Sequence, residues 1–211
     1  VGAFHPPRVV VADPETIATL PELQRAQGLA EALKHGAILD AAYFDELQDR
    51  GGELLAADGD TLEWAVTRSV EIKAGVVTED EREGGLRQIL NFGHTLGHAL
   101  EAASDFALPH GSAVSLGMVL EARLGEALGV TEPGTATRIR HAVEAFGLPG
   151  TVGREGDVER VRAFTRSDKK GRKGKARYVL IERLGVAAHA EGGWTREVPS
   201  AALEGVLKPL S

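Results

Sequence analysis

The segment 83–101 reads EGGLRQILNFGHTLGHALE, and its pattern predicts a helix over 86–104. At ~100° per residue, four polar residues fall on one narrow stripe of such a helix: Arg87, Asn91, His94 and His98. Glu83 extends the stripe if the helix reaches that far back. Apolar side chains cover the other faces, so the helix is expected to be buried. Its polar stripe must then line a cavity or a metal site, because unpaired buried polar groups are costly.

Two glycines in this segment, Gly93 and Gly97, are four residues apart and would let a neighbouring backbone approach closely. The spacing of His94 and His98, one helical turn apart, suits a metal pair, since imidazole is a common ligand of zinc and similar ions. The simpler interpretation is a pair of satisfied core histidines or a stripe that faces water. Arginine and asparagine on the same stripe favour a functional site over that interpretation.

Two other places could contribute to this site. His110 lies between a proline and a glycine, and Glu31 and Lys34 share a helix face in GLAEALKHG. The simpler alternatives are a surface or capping histidine and a surface ion pair, which is worth little free energy. Two histidines with one carboxylate would complete a catalytic metal site that keeps a position open for substrate.

The rest of the chain predicts a mainly α fold. Residues 8–12 (RVVVA) predict a short buried strand, and a β-hairpin is expected from 177–182 and 185–190. A final helix is predicted near 199–208. Between these strands the predicted helices are 14–20, 24–49, 61–76, 86–104, 111–128 and 134–146, separated by glycine and proline breakers such as Gly51-Gly52.

Composition excludes several classes of protein. The 211 residues are 43% hydrophobic, which rules out a disordered chain, and the absence of cysteine rules out disulfides and thiolate metal sites. A net charge of −7 disfavours a general nucleic-acid or membrane-surface binder. No apolar run approaches the ~18–20 residues of a membrane span. Because the chain begins with valine, we expect a fragment or a processed chain.

A basic segment stands out against this acidic background. Nine basic residues lie between Arg160 and Arg177, and the core of the run is SDKKGRKGK at 167–175. A solvated loop before the hairpin would explain it. Capture of a phosphate group would explain it equally well, because ammonium and guanidinium groups bind phosphate oxygens strongly.

Five blocks of the sequence, in the same order, resemble 3-dehydroquinate synthases: GAFHPP (2–7), GLAEALKHG (28–36), EREGGLRQILNFGHTLGHALEA (81–102), LPHGSAVSLGMV (108–119) and SDKKGRKGKARYVLIERLG (167–185). The resemblance implies a nucleotide-binding α/β domain followed by an α-helical metal-binding domain. On this basis residues 1–13 would be the last strand and connection of the first domain, which the chain otherwise lacks. Residues 14–211 would be the helical metal- and substrate-binding domain.

The resemblance also implies an activity. Enzymes of this family are phosphate-eliminating carbon–oxygen lyases of the shikimate pathway, which leads to the aromatic amino acids. They convert 3-deoxy-D-arabino-heptulosonate 7-phosphate into 3-dehydroquinate, using tightly held NAD and a divalent metal, usually zinc or cobalt. A cytoplasmic enzyme that is a homodimer when full length is implied, with neither nucleic acid nor membrane as a partner. The chain alone is expected to be inactive, because Gly-rich NAD-binding segments are absent.

The family pattern assigns roles to particular residues. Its metal ligands correspond to Glu31, His94 and His110, which overrides the His94–His98 pair and leaves His98 as a substrate- or proton-handling group. The residues that match substrate-pocket positions are Lys34, Lys73, Glu83, Arg87, Asn91, Lys169 and Lys170. The residues that match a cofactor-contacting stretch are Thr16, Ile17, Ala18 and Thr19.

Two departures from the pattern concern the site. Ser112 stands where the family usually has a glutamate after the His-Gly pair, which removes a possible acid beside His110 and leaves the orientation of the metal in question. His35 replaces a frequent tyrosine, from which we expect little consequence. Three other interpretations stay open: a different sugar-phosphate cyclase such as a 2-deoxy-scyllo-inosose synthase, a glycerol-dehydrogenase-like oxidoreductase, and a non-catalytic metal- or phosphate-binding module.

Overall fold

The computed structural model describes residues 5, 7–153, 159–164 and 176–207, and these are mainly helical. The helices are α1 (Glu15–Ala18), α2 (Glu22–Leu39), α3 (Ala41–Asp49), α4 (Gly51–Leu55), α5 (Gly59–Glu79), a 3₁₀ helix (Leu86–Asn91), α6 (His94–Ala103), α7 (His110–Ala127), α8 (Thr135–Ala145), α9 (159–164) and α10 (Ser200–Leu207). The strands are β1 (Ile181–Arg183) and β2 (Val186–Ala187). The predicted fold class, mainly α with a hairpin near the end, is confirmed.

Helix α7 lies at the centre of the fold and is buried on nearly every face. It packs against α2, α6, α8 and α10. Its small residues permit this crowding: a Cβ on Gly117 would lie 1.8 Å from the Gly93 carbonyl oxygen. A Cβ on Gly97 would likewise lie 3.1 Å from the Ala113 carbonyl oxygen. The backbones of α6 and α7 are therefore in contact, as the spacing of Gly93 and Gly97 predicted. None of the helices in the described ranges is both long and apolar enough to cross a membrane.

The long helix predicted over 24–49 is two helices. The backbone leaves the helical region at Asp40 (φ −151°, ψ 90°), whose side chain accepts a hydrogen bond from the Tyr43 amide at 3.1 Å and begins α3. The two helices pack closely, since a Cβ on Gly36 would lie 2.9 Å from Phe44. Folding back at Asp40 buries both apolar faces. The predicted helix end at residue 49 is confirmed, because α3 ends at Asp49; the break lies at Arg50, and Gly51 and Gly52 begin α4.

The helix predicted over 86–104 is also interrupted. Leu86–Asn91 forms a 3₁₀ helix, and Gly93 then adopts the left-handed conformation (φ +80°) before α6 begins at His94. A Cβ on Gly93 would lie 2.7 Å from Met118 Cγ, so α7 is too close for any larger residue there. The polar stripe is thus split between two elements rather than running along one helix.

Residues 8–12, predicted to be a buried strand, form no strand here. Val9, Val10 and Val11 are 74%, 78% and 86% exposed. The described residues offer this segment no neighbouring strand, and a lone strand can neither satisfy its backbone nor bury its side chains. The other predicted β element is correct: β1 and β2 pair antiparallel, with Ile181 opposite Ala187.

Candidate metal centre

Three helices bring one carboxylate and two imidazoles together. Glu31 lies on α2, while His94 and His110 are the first residues of α6 and α7. Glu31 Oε1 lies 3.4 Å from His94 Nε2 and 3.3 Å from His110 Nε2. One potential ligand atom from each of the three residues lies within 4.8 Å of those from the other two. The geometry thus assembles the three residues that the family pattern pairs with metal ligands.

The ring orientations suit metal binding. His94 Nδ1 lies 3.2 Å from the Phe92 carbonyl oxygen, and His110 Nδ1 lies 3.2 Å from Glu101 Oε1. Because both partners are acceptors, each Nδ1 is placed to donate a hydrogen bond to its partner, and each Nε2, which faces Glu31 Oε1, can then serve as the metal-binding atom. A neutral imidazole held through its other nitrogen is the usual arrangement around a protein metal site.

Glu31 is divided between two neighbours. Its Oε2 lies 2.5 Å from Lys34 Nζ, whereas its buried Oε1 accepts no hydrogen bond from the described residues. Burial would raise the pKa of Glu31, but the adjacent His94 ring and the Lys34 ammonium lower it below its ordinary value. Burial also lowers the pKa of Lys34, although Glu31 acts in the opposite direction. A carboxylate held ionised with one unsatisfied oxygen fits a cation at this point.

A cavity of about 600 Å³ opens beside this cluster. Its lining includes eight of the residues predicted from the sequence: Glu31, Lys34, Lys73, Glu83, Arg87, Asn91, His94 and His110. The structure therefore brings together the predicted ligands and most of the predicted substrate contacts, although they come from five helices and the loop that holds Glu83. The break at Gly93 does not disperse them, because the 3₁₀ helix and α6 both border the cavity.

The loop between α5 and the 3₁₀ helix holds part of this lining. Asp80 accepts hydrogen bonds from the backbone amides of Gly84 (3.0 Å), Gly85 (2.7 Å) and Arg87 (3.0 Å), which lower its pKa. Glu83 adopts a left-handed conformation (φ +58°) in this loop and accepts a hydrogen bond from Asn91 Nδ2 at 2.8 Å. Asp80 followed a few residues later by the Gly84-Gly85 pair was the available sequence signal for such a turn.

His98 does not line the cavity. Its side chain is 63% exposed, and its ring lies 5.3 Å from that of His94 between centroids. It belongs to a second group with Glu101 and His110, in which its Nε2 lies 4.0 Å from Glu101 Oε2. Glu101 was not among the predicted residues, although its position one turn after His98 places the two on one helix face.

The two departures from the family pattern have visible surroundings. Ser112 donates its amide to Gln27 Oε1 at 2.8 Å, and Gln27 Nε2 donates to Ser112 Oγ at 2.9 Å. The acid beside His110 is Glu101 instead. His35 is buried with Nδ1 2.8 Å from Ser69 Oγ, and burial lowers its pKa to about 4.

The remaining predicted residues lie elsewhere. Thr16 and Thr19 bond locally, each hydroxyl donating at 2.7 Å to a backbone carbonyl three residues earlier. Ile17, between them, lines a mostly apolar cavity of about 230 Å³ that shares Ser69 and Val70 with the larger one. Ala18 closes α1. Lys169 and Lys170, with the core of the basic segment, lie outside the described residues.

Comparison with known proteins gives a consistent family. The sequence profile described as 3-dehydroquinate synthase C-terminal matches residues 28–171. The 3-dehydroquinate synthase of Pelobacter propionicus (strain DSM 2379 / NBRC 103807 / OttBd1) is 44% identical over 186 residues. That alignment covers 88% of this chain and 52% of the relative, so the chain spans about half the length of that curated relative.

Solved structures share the fold. ValA, a 2-epi-5-epi-valiolone synthase from Streptomyces hygroscopicus subsp. jinggangensis 5008 with NAD⁺ and Zn²⁺ bound, superposes with a TM-score of 0.84 at 25% identity, covering 98% of this chain and 56% of that one. A 2-deoxy-scyllo-inosose synthase complexed with carbaglucose-6-phosphate, NAD⁺ and Co²⁺ gives a TM-score of 0.88 at 23% identity, covering 100% and 59%.

Proposed function

This chain belongs to the 3-dehydroquinate synthase family, and from that membership we propose that it supplies the metal- and substrate-binding part of such an enzyme. The proposed reaction converts 3-deoxy-D-arabino-heptulosonate 7-phosphate into 3-dehydroquinate and phosphate. The observation that carries the proposal is the convergence of Glu31, His94 and His110 on a cavity that cationic side chains also line.

We propose that these three residues hold a divalent metal ion, zinc or cobalt. The unsatisfied Oε1 of Glu31 and the two Nε2 atoms that face it support this role. Three protein ligands leave a coordination position open, as in catalytic zinc sites. A bound ion would supply Lewis acidity toward substrate oxygens.

The other residues of the cavity suit an anionic sugar acid. Lys73 and Arg87 border the same space from α5 and the 3₁₀ helix and offer cations for carboxylate and phosphate groups. Asn91 and Glu83, already hydrogen-bonded to each other, offer donors and acceptors for hydroxyl groups. Lys34 is buried and paired with Glu31, so we assign it first to holding that carboxylate in place.

His98 and the basic segment complete the proposal. We propose that His98 exchanges protons at the edge of the site, because its exposed ring lies beside His94 and Glu101. Lys169 and Lys170 would bind the phosphate group. The proposed NAD contact remains with Thr16 to Thr19, next to the apolar cavity that Ile17 lines.

The test is an assay of the intact enzyme loaded with zinc or cobalt. We expect phosphate release from the heptulosonate phosphate with no net accumulation of NADH, and a loss of activity of at least 100-fold in Glu31→Gln, which removes a ligand charge. We expect the 211-residue chain alone to show no turnover, because it contains no Gly-rich dinucleotide fingerprint.

Other substrates separate this proposal from its rivals. Preferred turnover of sedoheptulose 7-phosphate or glucose 6-phosphate would identify a different sugar-phosphate cyclase, a possibility that the likeness to ValA supports. Stoichiometric NADH formation would identify an alcohol dehydrogenase, and metal binding without turnover of any of these would identify a binding module. We also propose that the intact enzyme is cytoplasmic and forms a homodimer. Analytical ultracentrifugation would test the dimer.

A further inference from the structure

Helix α6, which begins with His94, is capped by a residue of another helix. Its own N-cap residue is Gly93, which has no side chain to offer. Glu121 of α7 takes that place: its Oε2 accepts a hydrogen bond from the Gly93 amide at 2.7 Å, and its Oε1 accepts one from the Leu96 amide at 3.1 Å. The two oxygens of one carboxylate therefore bracket the residue that carries the proposed ligand.

This arrangement is costly for a carboxylate. Glu121 has no exposed surface, and burial raises its pKa to about 8 even though the amides of Gly93 and Leu96 act in the opposite direction. It does not line the cavity, so it cannot contact a substrate there. A buried acid with no contact to the reaction but two bonds to the backbone around His94 points to a role in placing that histidine.

The same helix also starts with His110. Glu121 therefore ties the beginning of α6 to the helix that carries the second imidazole. Close backbone packing between α6 and α7 at Gly117 and Gly97 stiffens the connection. Because α7 carries His110 and also holds the start of α6 through Glu121, the protein rather than an ion sets the distance between His94 and His110.

We propose that Glu121 is a positioning residue that fixes the Gly93–Leu96 turn, so that His94 Nε2 faces Glu31 before any metal binds. This inference rests on the proposed metal centre. It extends that centre to a residue 27 positions beyond His94 in the sequence, on a different helix. Preorganisation of this kind lowers the free-energy cost of binding.

The chain contains a matched control. Glu126, also on α7, caps α8 in the same way: its Oε1 accepts a hydrogen bond from the Ala136 amide at 2.9 Å, and the N-cap residue of α8 is again a left-handed glycine, Gly134. None of the candidate ligands lies on α8. If loss of a helix cap alone weakened metal binding, substitution of either glutamate would lower the metal affinity. If the placement of His94 matters, only substitution of Glu121 would lower it.

The experiment is a titration of the metal-free chain with Co²⁺, followed by its visible absorption and by calorimetry. We expect Glu121→Gln to bind Co²⁺ at least tenfold more weakly than the wild type and with an altered spectrum. Glu126→Gln should lower the thermal midpoint while keeping the wild-type affinity within twofold. Wild-type affinity in a folded Glu121→Gln variant, or equal weakening in both variants, would overturn the inference. No Co²⁺ binding by the wild type would instead reject the proposed metal centre.

A second measurement needs no variant and applies even if Glu121→Gln does not fold. Amide hydrogen exchange of the wild-type chain should be slow at Gly93 and Leu96 without metal and should change less than twofold on Co²⁺ addition. Fast exchange at these amides that becomes slow only with Co²⁺ would mean that the ion, not Glu121, orders the turn.

Discussion

The N-termini of α6 and α8 use the same device in different surroundings. Each helix follows a left-handed glycine, Gly93 or Gly134, lacks a capping side chain of its own and receives a carboxylate from α7. At α6 the carboxylate is fully buried and uses both oxygens, whereas Glu126 at α8 is half-buried. The cap at α8 completes a helix, and the cap at α6 also defines where a candidate ligand stands.

The largest difference is expected from alanine at the two glycines. Gly93→Ala should lower the free energy of unfolding by about 3–4 kcal/mol, because left-handed strain is added to overlap with Met118 and Val114. Gly134→Ala should cost only about 1 kcal/mol, since nothing lies within 4 Å of the added Cβ. Urea denaturation measures both. Equal losses would show that the α6 end is no more tightly packed than the α8 end.

The next difference concerns stability at low pH. Burial disfavours the charged ring of His35 and lowers its pKa in the folded chain from an ordinary 6.5 to about 4. Its contribution to stability is therefore complete above pH 6.5 and is lost as the pH falls through about 4. At ~1.4 kcal/mol per pKa unit, the wild type should lose about 3 kcal/mol over that window relative to His35→Gln.

Unfolding free energies measured between pH 7 and 4 test this. The control is His141→Gln, at an exposed position of α8. It should retain the wild-type loss, because His35 is still present. A wild-type profile that runs parallel to that of His35→Gln would contradict the prediction.

The smallest effect is expected at the start of α7, which a neutral side chain holds. Gln27→Ala removes both hydrogen bonds to Ser112 and should cost about 1–2 kcal/mol of stability. Because Gln27 lies one turn before Glu31 on α2, Co²⁺ affinity should fall only a few-fold. The neighbouring change Gln24→Ala serves as the control in the same titration. If Gln27→Ala lowered the Co²⁺ affinity as much as Glu121→Gln, the start of α7 would matter as much for metal binding as the start of α6.

These differences also mark what the sequence could predict. The helical body and the hairpin follow from apolar periodicity and from glycine and proline breakers, and the resemblance groups Glu31, His94 and His110, which the structure brings together. The break at Gly93 was not predictable from local pattern, because its cause is the approach of α7 at Met118. Contacts such as Gln27–Ser112 join residues far apart in the chain, and no periodicity reports them.

At the start of the chain, the sequence predicted an element that the structure does not contain. Val9 to Val11 have the composition of a buried strand, yet they are exposed, because strand formation depends on a partner that composition cannot supply. Glu101 could be predicted only in part. Its spacing from His98 is visible in the sequence, but its hydrogen bond with His110 depends on how α6 and α7 pack.

The order in which the three candidate ligands meet has a kinetic meaning. His94 and His110 start two consecutive helices that pack directly, whereas Glu31 lies on a helix far earlier in the chain. The imidazole pair can therefore form through a short loop closure, and the carboxylate joins only when α2 docks across a much longer one. In stopped-flow refolding with Co²⁺ present, a tight-binding spectrum should appear with the slowest phase, so the ion would report the docking of α2.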